Sequence, residues 1–187
     1  MTLPNWNLKK FYDSVDDNKI SKDLKVLSKK SKNFSNEFRN KLGSLKASKL
    51  LDSLKDFEKI QEIIQKIQSF AYLSYCTNQL DEKNKKFYQQ VEEKISEIEK
   101  NLIFYGIELN KLSTKQLLPF KKTKYKNWIE NHRKFKKFQK SEDSEKLLVE
   151  KSITSSSAWV KFFDQSMARL KFFFNGKELT ETEILNF

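Results

Sequence analysis

The chain has a single histidine, His132, and a single cysteine, Cys76. These two scarcities exclude much catalytic chemistry from the start. A zinc helix of the His-Glu-x-x-His kind needs two imidazoles, so it cannot be assembled from these residues. One cysteine rules out an internal disulfide framework. The three glycines, Gly43, Gly106 and Gly176, stand far apart, which leaves no glycine-rich loop to cradle a phosphate and makes nucleotide-dependent chemistry unexpected. With only two prolines as well, the chain lacks the turn residues that a sandwich or barrel uses at intervals of about 8–12 positions. No apolar run approaches the roughly 20 residues needed to cross a bilayer. Residues 1–8 lack the basic-then-apolar order of a signal peptide. A cytoplasmic protein with no membrane partner is expected.

What is present argues for a helical fold with a real core. A chain of 187 residues is long enough for one domain. It is 37% hydrophobic and carries 16 Phe, 6 Tyr and 3 Trp, far more apolar and aromatic side chain than a disordered chain holds. Net charge is +12, from 37 basic against 25 acidic residues, which raises nucleic acid or an anionic surface as a partner. Only Arg39, Arg133 and Arg169 among the basic residues are arginine, whereas phosphate and base recognition favours the forked guanidinium. Lysine spread through every segment reads as solvated helix faces, and no specific nucleic-acid partner is expected.

Apolar residues recur at helical spacing through most of the chain. Ile20, Leu24, Leu27, Phe34, Phe38 and Leu42 predict a first helix, started by Asp16 or Asp17 and ended by Gly43. Leu50, Leu54, Phe57, Ile60, Ile64, Ile67 and Ala71 predict a second of more than thirty residues, running toward Leu80. After a cap at Asp81, Phe87, Val91, Ile95, Ile98, Leu102 and Tyr105 predict a third. The two long helices should form an antiparallel hairpin. Ser113 and Gln116 match a capping box, with the chain re-aimed at Pro119. Tyr125, Trp128, Ile129 and Phe135 mark another helix, and Ser141 caps a further one that buries Leu147 and Leu148. Residues 153–157 predict a break, followed by a short apolar helix bearing Ala158, Trp159, Phe162, Phe163 and Met167. The period then changes to two: Leu170, Phe172 and Phe174 alternate, Asn175-Gly176 supplies a hairpin turn, and Leu179 falls on the returning strand. Thr180 and Glu183 form a second capping box, and Ile184, Leu185 and Phe187 open a helix that stops within two turns. A well-capped helix start so near the end is expected where a polypeptide continues.

The fold class is therefore mainly α, with a long antiparallel helical hairpin, shorter helices and a small C-terminal β-hairpin. Residues 1–112 hold the long helices, 113–168 the shorter ones, 169–179 the β-hairpin, and 180–187 the start of a helix, all in one domain.

No set of residues carries a convincing site. Cys76 with His132 could form a nucleophile pair, but an inert buried thiol and a solvated surface histidine are the expected states. Glu92, Glu93, Glu97 and Glu99 could act as acid and base or hold a divalent cation, yet interleaved lysines make surface ion pairs the expectation. Trp159, Phe162, Phe163, Phe172, Phe173 and Phe174 could stack bases or peptide side chains, and core packing between a helix and the hairpin is the expected use. One of the three consecutive phenylalanines must still face away, and Phe173 is free to contact something outside the segment. No catalytic, metal or substrate-binding residue is assigned. A free-standing basic helical module that binds nucleic acid or another polyanion remains the alternative reading.

Several blocks do carry a family resemblance. Trp6-Asn7-Leu8 with Phe11-Tyr12-Asp13, the run Leu102-Ile103-Phe104-Tyr105-Gly106-Ile107-Glu108-Leu109, and Ser141-Glu142 with Glu145-Lys146-Leu147-Leu148 resemble the N-terminal region of oligoendopeptidase F, a zinc peptidase of the M3 family. Ala158-Trp159-Val160-Lys161-Phe162-Phe163-Asp164 and the hairpin after it do the same. Thr154-Ser155-Ser156-Ser157 departs from the pattern, standing where a glycine is expected before the Ala-Trp pair, and Phe138-Gln139-Lys140 lacks an expected histidine. The resemblance implies an enzyme about three times this length. Its separate C-terminal domain would hold one zinc ion in the His-Glu-x-x-His motif, and its N-terminal domain would form one wall of a channel for short peptides. It implies no cofactor within these residues, and the missing catalytic domain as their partner.

Overall fold

The computed structural model describes residues 6–186. Residues 1–5, and Phe187 with the place expected for it in the last helix, lie outside the described residues. The architecture is mainly α. In chain order it comprises α1 (Asn18–Phe38), α2 (Ala47–Thr77), α3 (Glu82–Lys100), α4 (Ile103–Lys111), α5 (Thr114–Leu117), α6 (Lys126–Lys134), α7 (Glu142–Thr154), α8 (Ser156–Arg169), β1 (Phe172–Phe174), β2 (Lys177–Leu179) and α9 (Glu181–Ile184).

The caps are those the sequence predicts, with one exception. Asp17 accepts the backbone N–H of Lys19 at 2.8 Å to open α1, and Asp81 accepts that of Asn84 at 2.8 Å to open α3. Both capping boxes form, Ser113 with Gln116 and Thr180 with Glu183. The exception is the end of α1. Gly43 does not cap it; the C-cap is Arg39, whose backbone N–H donates to the Ser35 carbonyl oxygen, Asn40 follows in the left-handed conformation at φ 61°, and Gly43 sits in a following 3-10 turn. Asparagine tolerates that conformation better than other non-glycine residues.

α2 and α3 form the expected antiparallel hairpin across a four-residue link. Phe70 meets Phe87 and Tyr75 stacks on Tyr88 near the turn, while Phe57 stacks on Tyr105 at the far end. α1 packs against both helices. Ile64 and Ile67 are fully buried, each contributing about 1.5–3 kcal/mol of apolar burial. The stripe expected to be one helix from Phe87 to Tyr105 is two, broken at residues 101–102. Asn101 and Leu102 both stay in the right-handed helical region, at φ −72°, ψ −16° and φ −106°, ψ −17°. The helical phase is therefore kept and Ile98, Leu102, Tyr105 and Leu109 remain on the buried side, which is why periodicity does not reveal the break. Behind it, an aromatic cluster of Phe34, Phe38, Phe57, Phe104 and Tyr105 closes this end of the bundle.

α7 and α8 form a second layer against α3 and α4. Ser155, at φ −114° and ψ −97°, is the whole of the break between them. α7 is tied down at its start, where Glu142 bonds both Arg39, the residue after α1, and Lys146, and Arg39 lies 4.5 Å over the Phe104 ring. Burial alone would raise the Glu142 carboxyl, but hydrogen bonds from Lys146 and Arg39 hold it below its ordinary value of 4.5. A lowered folded-state pKa means the stabilisation is complete above pH 4.5 and disappears as pH falls through the lower folded value. Between pH 6 and pH 3 the melting temperature should fall, and Glu142→Gln should remove about 1 kcal/mol of that dependence, measured by thermal melts across pH.

At the C-terminus Phe172 pairs with Leu179, Phe173 with Glu178 and Phe174 with Lys177. Asn175 and Gly176 both take positive φ, 51° and 74°, as a tight hairpin turn requires.

Candidate functional site

A cleft of about 470 Å³ opens where α4 is overlain by α6 and α7. Gly106 lies in its wall, where an added Cβ would come 3.0 Å from His132 Cε1 and the imidazole would have to give way. The ring stacks on Trp128, with centroids 5.5 Å apart and planes 10° off parallel, and Nε2 lies 3.1 Å from the Gly106 carbonyl oxygen. His132 is thus partly buried and seated against α4, not the solvated histidine expected. Gly106→Val should displace it and cost about 1–3 kcal/mol by overpacking, measured as a shift in the urea midpoint.

The walls are largely apolar, from Phe57, Leu102, Ile103, Ile107 and Val149, with Phe135 and Phe138 at the mouth. The last two are 66% and 63% exposed. Polar groups are few. Asn110, 2% exposed, donates from Nδ2 to Gln139 Oε1 at 3.2 Å, and its Oδ1 has no partner. Burial pushes the Glu99 carboxyl above the usual glutamate range. Glu145 Oε1 accepts the Lys140 backbone N–H at 2.8 Å.

The cleft brings together Glu99 and His132, which sequence spacing did not link because they lie on different helices. It does not bring in Cys76. That thiol is half-buried near the α2–α3 turn, beside Tyr72. Gly106 follows Tyr105, which packs on Phe57, so Cys76 and His132 are separated by about 30 Å along α2 at 1.5 Å per residue. The other carboxylates are dispersed, and among the described residues none of them forms the expected surface ion pair with an interleaved lysine of its own helix. Glu92 bonds Lys161, Glu93 accepts from Gln89 at 2.9 Å, and Glu97 is exposed. Among the described residues no three of His, Cys, Asp and Glu are grouped so as to hold a metal ion. The resemblance implies a zinc ion in a separate domain, and no chemical step is assigned to these residues.

The second feature corrects an expectation. The aromatic residues of α8 and the hairpin do not pack into a core. Trp159 is 72% exposed, Phe162 65% and Phe173 83%. The half-buried positions of α8 are instead mostly polar, Ser157, Lys161, Asp164 and Gln165, with Met167 and Ala168 beside them. Lys161 bonds Glu92 of α3 and lies 4.6 Å over the Tyr88 ring. α8 is amphipathic in the inverted sense, polar toward its own domain and aromatic outward. Leu147 and Leu148 of α7 are exposed as well, not buried as expected.

Among the described residues, no helix is long and apolar enough to cross a membrane. Residues 108–172 match the family model described as Oligopeptidase F, the N-terminal region of the M3 peptidases. The match covers about a third of the chain and takes in α6, α7, α8 and part of the cleft. This stretch is an oligoendopeptidase F-like N-terminal region. The resembling blocks at Trp6–Asp13 and beyond Phe172 lie outside it. No curated protein and no solved structure matches the chain.

Proposed function

We propose that the chain is a single N-terminal, non-catalytic domain of a cytoplasmic zinc metalloendopeptidase that hydrolyses oligopeptides. In this reading it docks against a catalytic domain of the same polypeptide and forms one wall of the substrate channel. The zinc ion and its His-Glu-x-x-His ligands belong to that other domain, and short peptides are the substrate of the whole enzyme. The family match at residues 108–172 supports the peptidase parentage. The observation that carries the docking role is α8, which turns Lys161 inward to Glu92 and leaves Trp159, Phe162 and Phe163 outward. An outward aromatic side on a helix whose inward lysine is already satisfied suits contact with another domain. The cleft over Gly106 supports the wall role, since an apolar groove with a few polar groups suits side chains of an extended peptide.

The reading frame that encodes these residues tests the proposal. It should contain a His-Glu-x-x-His helix downstream of the codon for Phe187. A stop codon directly after that position would contradict it.

A further inference from the structure

The positive charge of this protein is not spread evenly. Residues 111–140 contain eleven Lys or Arg against one acid, Glu130, so this stretch holds ten of the chain's twelve net positive charges. The remaining residues are close to neutral. Within the stretch, and among the described residues, only Lys124 enters an ion pair, with Glu58. Arg133 donates from Nη1 to the Leu112 carbonyl oxygen at 2.8 Å, so the one guanidinium here is partly committed to holding the fold. What remains available is ammonium groups.

Their placement beside the cleft gives the charge a use. Phe135, Phe138 and Gln139 line the cleft, and the exposed Lys134, Lys136, Lys137 and Lys140 alternate with them along the chain. Lys137 Nζ lies 4.9 Å over the Phe138 ring. The interior of the cleft, by contrast, holds apolar walls with the carboxylates Glu99 and Glu145. An acidic side chain would be repelled from the interior and attracted to the rim.

We propose that this cleft selects acidic peptides, seating an apolar or aromatic side chain in the pocket while flanking aspartate or glutamate side chains pair with the rim lysines. The inference rests on the channel-wall reading and names the substrate class for it. A single-stranded nucleic acid would also meet lysines and exposed rings. Peptide is favoured because the pocket is largely apolar and shares its lining with the carboxylates Glu99 and Glu145: a peptide can present one neutral side chain there, whereas a phosphodiester chain carries a negative charge at every unit and is repelled.

Fluorescence anisotropy with the 187-residue chain tests it. Three labelled probes suffice: a peptide with an aromatic residue flanked by glutamates, the same peptide with glutamines, and a single-stranded oligonucleotide of similar length. The acidic peptide should bind about tenfold more tightly than its glutamine counterpart at low salt, three exposed charge contacts at roughly twofold each, and the advantage should shrink with added salt. The triple variant Lys134→Gln, Lys136→Gln, Lys137→Gln should abolish that advantage. Lys22→Gln, Lys25→Gln, Lys29→Gln on α1 removes the same charge elsewhere and should preserve it. Equal binding of the two peptides would overturn the inference while leaving the channel wall in place. Binding of neither would remove the channel wall as well. Tighter binding of the oligonucleotide than of the acidic peptide would overturn it in favour of nucleic acid.

Discussion

Tyr105→Ala should destabilise the protein by about 3–5 kcal/mol, a large fraction of the 5–15 kcal/mol that typically separates folded from unfolded chains. Tyr105 is fully buried at the junction of α1, α2 and α4. Its ring stacks on Phe57 at 4.7 Å and meets Phe34 edge-on at 5.0 Å. Its hydroxyl lies 2.9 Å from Ser53 Oγ. Truncation removes the ring that both neighbours pack on and leaves a cavity where the α3–α4 break prevents easy collapse. Tyr105→Phe separates the two contributions. It keeps the ring contacts and costs about 1 kcal/mol, because Ser53 Oγ still donates to the Leu50 carbonyl oxygen at 2.7 Å. Urea denaturation followed by helical circular dichroism gives both numbers. A Tyr105→Ala variant as stable as Tyr105→Phe would mean that this end of the bundle is not the packed core described.

The second large effect concerns association rather than folding. Replacing Trp159, Phe163 and Phe173 together with alanine should leave the melting temperature of this chain nearly unchanged, since all three side chains are mostly exposed. Under the proposed docking, binding to a catalytic half encoded by the same reading frame should weaken by more than a hundredfold. Aromatic anchors at interfaces commonly carry about 2 kcal/mol or more each, or roughly thirtyfold apiece, with incomplete additivity among neighbours. Lys161→Ala should do the opposite, loosening α8 from Glu92 and Tyr88 and lowering stability while sparing the aromatic face. Isothermal titration with the separately produced catalytic half, beside a thermal melt of each variant, distinguishes the two.

Local chemistry made most of the helices legible. The Asp17 and Asp81 caps, the two capping boxes, the long stripe of α2 and the Asn175-Gly176 turn each follow from side chains within a few residues of one another. Two kinds of feature were not legible. The break at Asn101 leaves the helical phase intact, so no pattern marks it. The orientation of α8 was misread because its aromatic residues alone suggest a core; what turns them outward is Lys161 finding Glu92, 69 residues away in sequence. The cleft was hidden for the same reason. Gly106 and His132 are unremarkable apart, and only the packing of α6 on α4 joins them. The charge concentration at residues 111–140 is different: it lies in the sequence itself, because lysine is abundant everywhere and only this stretch lacks the acids that offset it elsewhere.

The central claim is that these residues are the non-catalytic part of a zinc oligopeptidase. Hydrolysis of a quenched-fluorescent oligopeptide tests it most directly, comparing the polypeptide of the whole reading frame with residues 1–187 alone. The whole polypeptide should cleave the peptide, lose activity to a zinc chelator and regain it with added zinc, while residues 1–187 show none. Chelator-sensitive cleavage by residues 1–187 alone, or a whole polypeptide that never cleaves, would contradict the account.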